Sequence, residues 1–244
     1  MILYLEKIKT GHFSNLSFYA ALEAYYNMGF EVREVESFDK LTEVEESNIF
    51  LGSIQFIHQA LHKLNKPIPE PLDYPESLTP FLGRKLFAST INDIANNPSS
   101  WNVFVKPKGI SKKFTGRVIR GTKDLIGCGD VNLNTPVWVS EPVEFVAEWR
   151  TFVRHKQILG VKQYKGDWKA HFDADIIEQA VGTYQDQPAG FALDFGLTKD
   201  GKLLLVEAND GYSLGNYGLF YIDYAKLLAS RWAELSGQKD LCDF

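Results

Sequence analysis

Cysteine is scarce: Cys128 and Cys242 are the only two in 244 residues, and their spacing fits neither a metal site nor a redox pair. Reduced thiols in a cytoplasmic protein are the expectation. Long hydrophobic runs are missing too, since nothing approaches the roughly 20 apolar residues of a membrane span. Met1-Ile-Leu-Tyr-Leu-Glu-Lys7 also lacks the basic-then-apolar pattern of a secretion signal. Positive charge is not in excess: 26 basic against 31 acidic residues leave a net charge of −5, which argues against an extended nucleic-acid surface. No Gly-rich phosphate loop follows the first expected strand, because Lys9-Thr10-Gly11-His12 is no dinucleotide fingerprint. Repeats and low-complexity tracts are absent as well.

What is present is an ordinary globular composition and enough chain to bury a large core, as one domain or as two to three lobes. Residues 1–66 read β-α-β followed by β-α. Strands are expected at Ile2–Ile8, Phe30–Val35 and Asn48–Gly52, with helices at Phe18–Met28 and Ile54–Leu64. Alternating units of this kind predict a small parallel sheet with helices packed on it. His58 and His62 lie four apart on the second helix, but no third ligand stands near them in sequence, so no metal site is assigned. Residues 67–80 contain five prolines and read as a stiff linker and domain boundary. Thr79-Pro80 then reads as the cap of a helix running through about Ala95, with Arg84 and Lys85 on its solvated face.

The stretch that organises the second half is Phe191–Asn209. Asp200-Gly201 between two apolar runs predicts a hairpin with a two-residue turn. That register sets Asp194 opposite Glu207, with Asn209 on the same face and a gap at Gly196. Phe191, Leu193, Phe195 and Leu197 against Leu204, Val206 and Ala208 form the core face. Two carboxylates side by side need a proton or a cation between them, and an all-oxygen set suits Mg²⁺. A solvated acidic face is the plainer account of such a hairpin. The apolar run Leu203–Val206, read as a buried central strand, weighs against it.

Upstream, Trp101–Pro107 alternates as a strand that ends on Lys106. Lys108–Gly116 follows with two glycines, two hydroxyls and three lysines, a composition suited to anions. Val137–Ser140 is a strand leading to Glu141-Pro142-Val143-Glu144. There the Pro142 carbonyl and the Val143 N–H have the spacing to read an adenine edge, and Glu144 has the reach for ribose hydroxyls. Ala147–Val153 and Ile158–Tyr164 read as strands. A three-residue turn between them sets Lys162 beside Arg150, a like-charge pair that an anion would relieve. A helix is expected at Asp175–Gln185 and another at Tyr221–Leu235. The Gly-rich Asp210–Gly218 between hairpin and last helix suits the lining of an acceptor pocket, or an ordinary turn.

In this order, the strand lysine, the loop Lys112-Lys113-Phe114-Thr115-Gly116, the Glu-x-Val hinge, Glu148-Trp149-Arg150 and the final Asp…Glu-x-Asn hairpin resemble the ATP-grasp superfamily. Within it they look most like the clade named for one arginine and two lysines. The resemblance covers residues 80–218, and the first 66 resemble the small Rossmann-like domain that precedes it. It implies a mixed α/β and α+β chain: domain 1–66, linker 67–80, and an ATP-grasp domain 81–244 with lobes 81–136 and 137–244. Lys106 and Lys113 would contact phosphates, Glu141 to Val143 adenine, and Glu144 ribose. Asp194, Glu207 and Asn209 would hold Mg²⁺, as a pair of ions, while Arg150 and Lys162 would serve catalysis. The implied reaction is ATP-dependent ligation through an acyl phosphate. Its substrates would be a small-molecule, peptide or protein carboxylate and an amine or thiol. Two other readings stay open: a noncatalytic ATP-binding module, and a nucleotidyltransferase in which Lys106 of Lys106-Pro-Lys-Gly109 is adenylated.

Overall fold

The computed structural model describes residues 2–7, 12–13, 15–41, 44–109, 113–129 and 134–244. The expectations that touch Ile8–Gly11 and Ile110–Lys112 lie outside those residues. The chain runs through β1 (Ile2–Glu6), α1 (Ser17–Asn27), β2 (Glu31–Val35), β3 (Ile49–Leu51) and α2 (Ile54–Lys63). It continues with β4 (Leu86–Thr90), α3 (Ile91–Asn96), β5 (Val103–Pro107), β6 (Arg117–Ile119) and β7 (Pro136–Ser140). The last part is β8 (Phe145–Arg154), β9 (Gln157–Gly166), α4 (Ala174–Thr183), β10 (Gly190–Thr198), β11 (Leu203–Asp210) and α5 (Tyr221–Ser236). Three sheets result, in the orders β2-β1-β3, β4-β7-β5-β6 and β11-β10-β8-β9. The first is parallel and the other two antiparallel.

The parallel sheet is held by a core it shares with the end of the chain. Leu3, Leu5, Tyr25, Phe50, Phe56 and Ile57 are buried together with Tyr224, Leu227, Leu228 and Trp232 of α5. Two long-range bonds stitch the join: Tyr25 Oη donates to the Ala225 carbonyl at 3.0 Å, and Trp232 Nε1 to the Asn48 carbonyl at 2.9 Å. Each fully buried ring here is worth about 1.5–3 kcal/mol of transfer free energy. α2 starts where the Ser53 hydroxyl accepts from the Phe56 N–H at 3.3 Å. α5 stops at Gly237, whose φ of 71° is the left-handed conformation that glycine takes without a Cβ clash.

Three expectations are corrected. No helix spans 79–95. A 3₁₀ turn covers Glu76–Phe81, and Gly83 at φ 59° breaks the chain. Leu86–Thr90 then pairs antiparallel with β7, and only Ile91–Asn96 is helical. Strand pairing along β7 overrides local propensity. The proline-rich segment is also no free spacer: the Ala208 N–H donates to the Asp73 carbonyl at 2.8 Å, docking 72–74 on the edge of β11.

The third correction concerns the hairpin. Gly201 N–H bonds the Thr198 carbonyl at 3.0 Å and Thr198 N–H the Lys202 carbonyl at 2.9 Å, which makes a three-residue turn rather than two. A bulge at Val206 then takes up the extra residue, so Asp194 still faces Glu207 while Phe195 faces Leu205. The core face of β11 is therefore Leu203, Leu205 and Ala208, not Leu204 and Val206. The supposed gap at Gly196 is filled by the Phe145 ring, 2.3 Å from where a Cβ would stand.

The β11-β10-β8-β9 sheet buries one whole face against α4, through Trp149, Val153, Phe191, Leu193 and Phe195. Its other face is divided. Phe152 and Ala192 go under α5 and the parallel sheet, while Arg150, Asp194 and Glu207 look into the cleft opposite the small sheet. The small sheet packs Val105, Ile119, Val137 and Val139 onto Ile91 and Ile94 of α3. Alternation turns its other face, with Lys106 and Trp138, to the same cleft.

Candidate active site

Asp194 sits between two neighbours in the large sheet, opposite Arg150 on β8 and Glu207 on β11. Arg150 clamps it bidentately, Nε to Oδ1 and Nη2 to Oδ2, both at 2.7 Å. Arg150 is 7% exposed and Asp194 3%. Burial pushes the Asp194 carboxyl above the usual carboxylate range, and the bonds from Arg150 pull against that rise. Asn209 Nδ2 donates to Asp194 Oδ2 at 3.1 Å. Over the guanidinium lies the Tyr217 ring, 4.6 Å from Cζ, and Tyr164 stacks on Tyr217 at 5.0 Å. A bulge at Tyr164 aims its hydroxyl at Glu148 Oε2, 2.9 Å away, and Lys165 completes the Glu148 pairing.

Glu207 meets the small sheet. Its Oε2 accepts from Lys106 Nζ at 2.8 Å, and Lys106 also contacts Asp73 Oδ1 at 2.8 Å. Trp138 Nε1 donates to Asp73 Oδ2 at 2.9 Å, and the Tyr74 ring lies 4.5 Å from the ammonium. Burial alone would draw the Lys106 pKa down. Glu207, Tyr74 and Asp73 outweigh it and hold the amine above the ordinary lysine value.

These groups border one cavity of about 790 Å³, whose walls include Lys106, Lys113, Arg150, Asp194, Glu207 and Asn209. Asn15 and Ile54 from the N-terminal part and Tyr212 to Leu214 close its far end. Arg231 holds that end in place, clamping Asp210 at 2.7 and 2.6 Å. A second hollow of about 450 Å³, beside α4, brings no comparable set of opposed charges together.

The structure thus brings six of the expected residues to one cavity and leaves five outside its walls. Lys162 pairs in register with Arg150 as expected, although the turn is His155-Lys156 alone and a bulge at Leu159 restores the register. Glu141 accepts from the Lys85 N–H at 3.1 Å, and exposed Glu144 pairs with Lys199 at 2.8 Å. Pro142 and Val143 lie half-exposed between them. Arg84 is not on a solvated helix: it donates to the carbonyls of Leu205 and Val206 at 2.8 and 3.0 Å. His58 bonds the Tyr212 hydroxyl at 3.1 Å, and among the described residues no group of three His, Cys, Asp or Glu side chains is placed to hold a metal ion by itself. Asp73, Tyr164 and Tyr217 were missed by sequence reasoning. Asp73 sits in a proline-rich tract, and its ion-pair partner Lys106 belongs to a different sheet, so no local pattern marks it.

Residues 81–227 match the model of an ATP-grasp domain family, the second family of the clade named for one arginine and two lysines. No curated protein matches the chain in sequence. Among solved structures, the D-cycloserine synthetase DcsG is similar at 14% identity and a TM-score of 0.59, over 95% of this chain and all of that one. A D-alanine–D-alanine ligase from Bacillus anthracis gives 10% and 0.59, over 97% and 99% of the two chains. The ADP complex of an N5-carboxyaminoimidazole ribonucleotide synthetase gives 12% and 0.63, over 98% and 77%. Identities this low carry the fold alone.

Proposed function

This chain belongs to the ATP-grasp superfamily, in the second family of its one-arginine, two-lysine clade, and on that premise we propose that it is an ATP-dependent ligase joining a carboxylate to an amine. The observation that carries the reading is the single cavity where Lys106 and Lys113 from one lobe face Arg150, Asp194, Glu207 and Asn209 from the other. The same reading divides the chain into domain 1–66, segment 67–80 and two lobes; the expected boundary at 136/137 shifts to after Ser140, because β7 pairs with β4 and β5 in the small sheet.

Lys106 and Lys113 are the phosphate ligands in this reading. The hinge Glu141–Val143 takes adenine, and Glu144 takes ribose on leaving Lys199. Asp194, Glu207 and the amide oxygen of Asn209 are hard oxygen donors that suit Mg²⁺. The fit is supported by Glu207, which already balances a cation, Lys106, at 2.8 Å. When bound, Mg²⁺ supplies charge neutralisation for phosphate oxygens. An acceptor carboxylate oxygen attacks the γ-phosphorus, the bond to the β-phosphate oxygen breaks, and ADP leaves. The amine then attacks the acyl carbon, loses a proton, and expels phosphate. Arg150, held in advance by the Asp194 clamp, offers positive charge to the phosphoryl group in transfer, and Lys162, its partner in register on β9, adds to it in this reading.

The rival with Lys106 as nucleophile fares worse, because Asp73 and Glu207, each 2.8 Å from its Nζ, favour the ammonium form, which has no lone pair for an α-phosphorus. ATP turnover against pools of amino acids and peptides tests the proposal. The expected products are ADP and phosphate, with hydroxylamine trapping the acceptor as a hydroxamate. AMP and pyrophosphate would defeat it.

A further inference from the structure

We propose that Asp73 is a positioning residue for Lys106 whose carboxylate makes nucleotide binding depend on a divalent cation. This rests on the reading of Lys106 as a phosphate ligand. Lys106 Nζ is shared between Asp73 and Glu207 at 2.8 Å each, and its side chain is 13% exposed. The carboxylates ion-paired to Lys106 are Asp73 and Glu207, while Lys113, Arg150, Asp194 and Asp210 also line the cavity. Two carboxylates on one ammonium leave one net negative charge at Lys106, the point where phosphates would arrive. A polyphosphate reaching Lys106 must displace a carboxylate or come with positive charge of its own.

Asp73 is built to hold its place in that contest. Its Oδ2 accepts from Trp138 Nε1 at 2.9 Å, and its carbonyl accepts from the Ala208 N–H at 2.8 Å, between Glu207 and Asn209. Its φ is 41°, in the left-handed region that few side chains tolerate. Asn adopts that region as readily as Asp and can still accept from Trp138. Asp73→Asn is therefore a change of charge with the backbone and the indole bond retained. Asp73 thus ties the small sheet to β11 alongside the direct Lys106–Glu207 pair, its carboxylate on Lys106 and Trp138 and its carbonyl on Ala208, so the state of Lys106 depends in part on a residue outside both lobes.

Calorimetric titration of ATP into the full chain, with EDTA and with excess Mg²⁺, tests this. In wild type, metal-free binding should be weak and Mg²⁺ should strengthen it steeply. Asp73→Asn should bind metal-free ATP roughly tenfold tighter, the order expected when one charge leaves a partly buried cluster. The gap between variant and wild type should narrow when Mg²⁺ is present. Asp73→Ala should show the same loss of metal dependence if charge is the cause. A change confined to Asp73→Ala would assign the effect to packing and overturn the proposal, as would an unaltered metal dependence in Asp73→Asn. Lys106→Ala separates the two layers of the argument. If it leaves ATP binding intact, the phosphate-site reading falls; if it weakens binding while Asp73→Asn changes nothing, only the charge-balance inference falls.

Discussion

The two sheets that face the cleft solve the same problem differently. The large sheet fixes its charges: Arg150 and Asp194 are 7% and 3% exposed, clamped by two 2.7 Å bonds, and backed by a face of Trp149, Phe191, Leu193 and Phe195. The small sheet has a thinner core on α3 and presents lysines on long stems. Lys106 is shared by two carboxylates, and Lys108 lies over Trp138 at 4.4 Å. A bidentate guanidinium pair has little freedom, while an ammonium on four methylenes re-aims at small cost. In the proposed reading, the large sheet is therefore the template that fixes where a phosphoryl group is received, and the small sheet the half that adapts to the nucleotide.

The most severe way to break that contrast is Asp194→Ala. It leaves Arg150 buried without its counter-charge, which should cost about 3–5 kcal/mol of stability in denaturant unfolding. The double change Arg150→Met with Asp194→Leu should recover most of that loss and still abolish turnover, because an apolar pair fills the space without the field. Lys106→Ala in the small sheet should cost no more than about 2 kcal/mol. A larger loss there would erase the distinction between template and adaptable half.

Glu207→Gln sharpens the contrast from the side of chemistry. Shape is kept, so unfolding should shift little, whereas ATP turnover should fall by about 100-fold. Unchanged turnover in a folded variant would remove the hairpin from the active site. Next comes Gly196→Ala in the template itself. An added Cβ would meet the Phe145 ring at 2.3–2.7 Å, an overpacking worth about 1–3 kcal/mol, read as a lowered unfolding midpoint.

Much of this was legible in the chain because alternation along a strand is a strong constraint. Asp194 with Glu207 and Arg150 with Lys162 were both read in their true register, yet each from a wrong turn. The first turn is a residue longer than expected and β11 bulges at Val206; the second is a residue shorter and β9 bulges at Leu159. In each hairpin the bulge cancels the slip beyond it, so functional pairs were right while the nearer core residues Leu203 and Leu205 were assigned to the wrong face. Periodicity reports that two faces exist, but it does not report where a single extra residue flips them. The failure over 79–95 is of another kind. Leu86–Thr90 is extended because β7, some fifty residues later, offers it a ladder, and no local signal carries that information. Asp73 was missed for the same reason.

The smallest effect lies where the template meets the N-terminal part, at His58. Its ring nitrogen bonds the Tyr212 hydroxyl at 3.1 Å, joining α2 to the loop that closes the cavity. Burial lowers its pKa from the ordinary 6.5 more than nearby Asp210 raises it. In the unfolded chain His58 takes up a proton near pH 6.5, while in the fold it stays neutral to lower pH. The unfolded state therefore binds more protons in that window, and stability rises with pH through it. Acidification from pH 7 through 6.5 toward the folded value should weaken this join, and the loss should level off once both states are protonated. His58→Gln keeps a hydrogen-bond partner for Tyr212 without a titrating group. Unfolding of wild type and variant compared between pH 5 and 7.5 should show the shallow slope in wild type alone. An identical slope in both would place the titrating group elsewhere and leave the join between template and N-terminal part indifferent to pH.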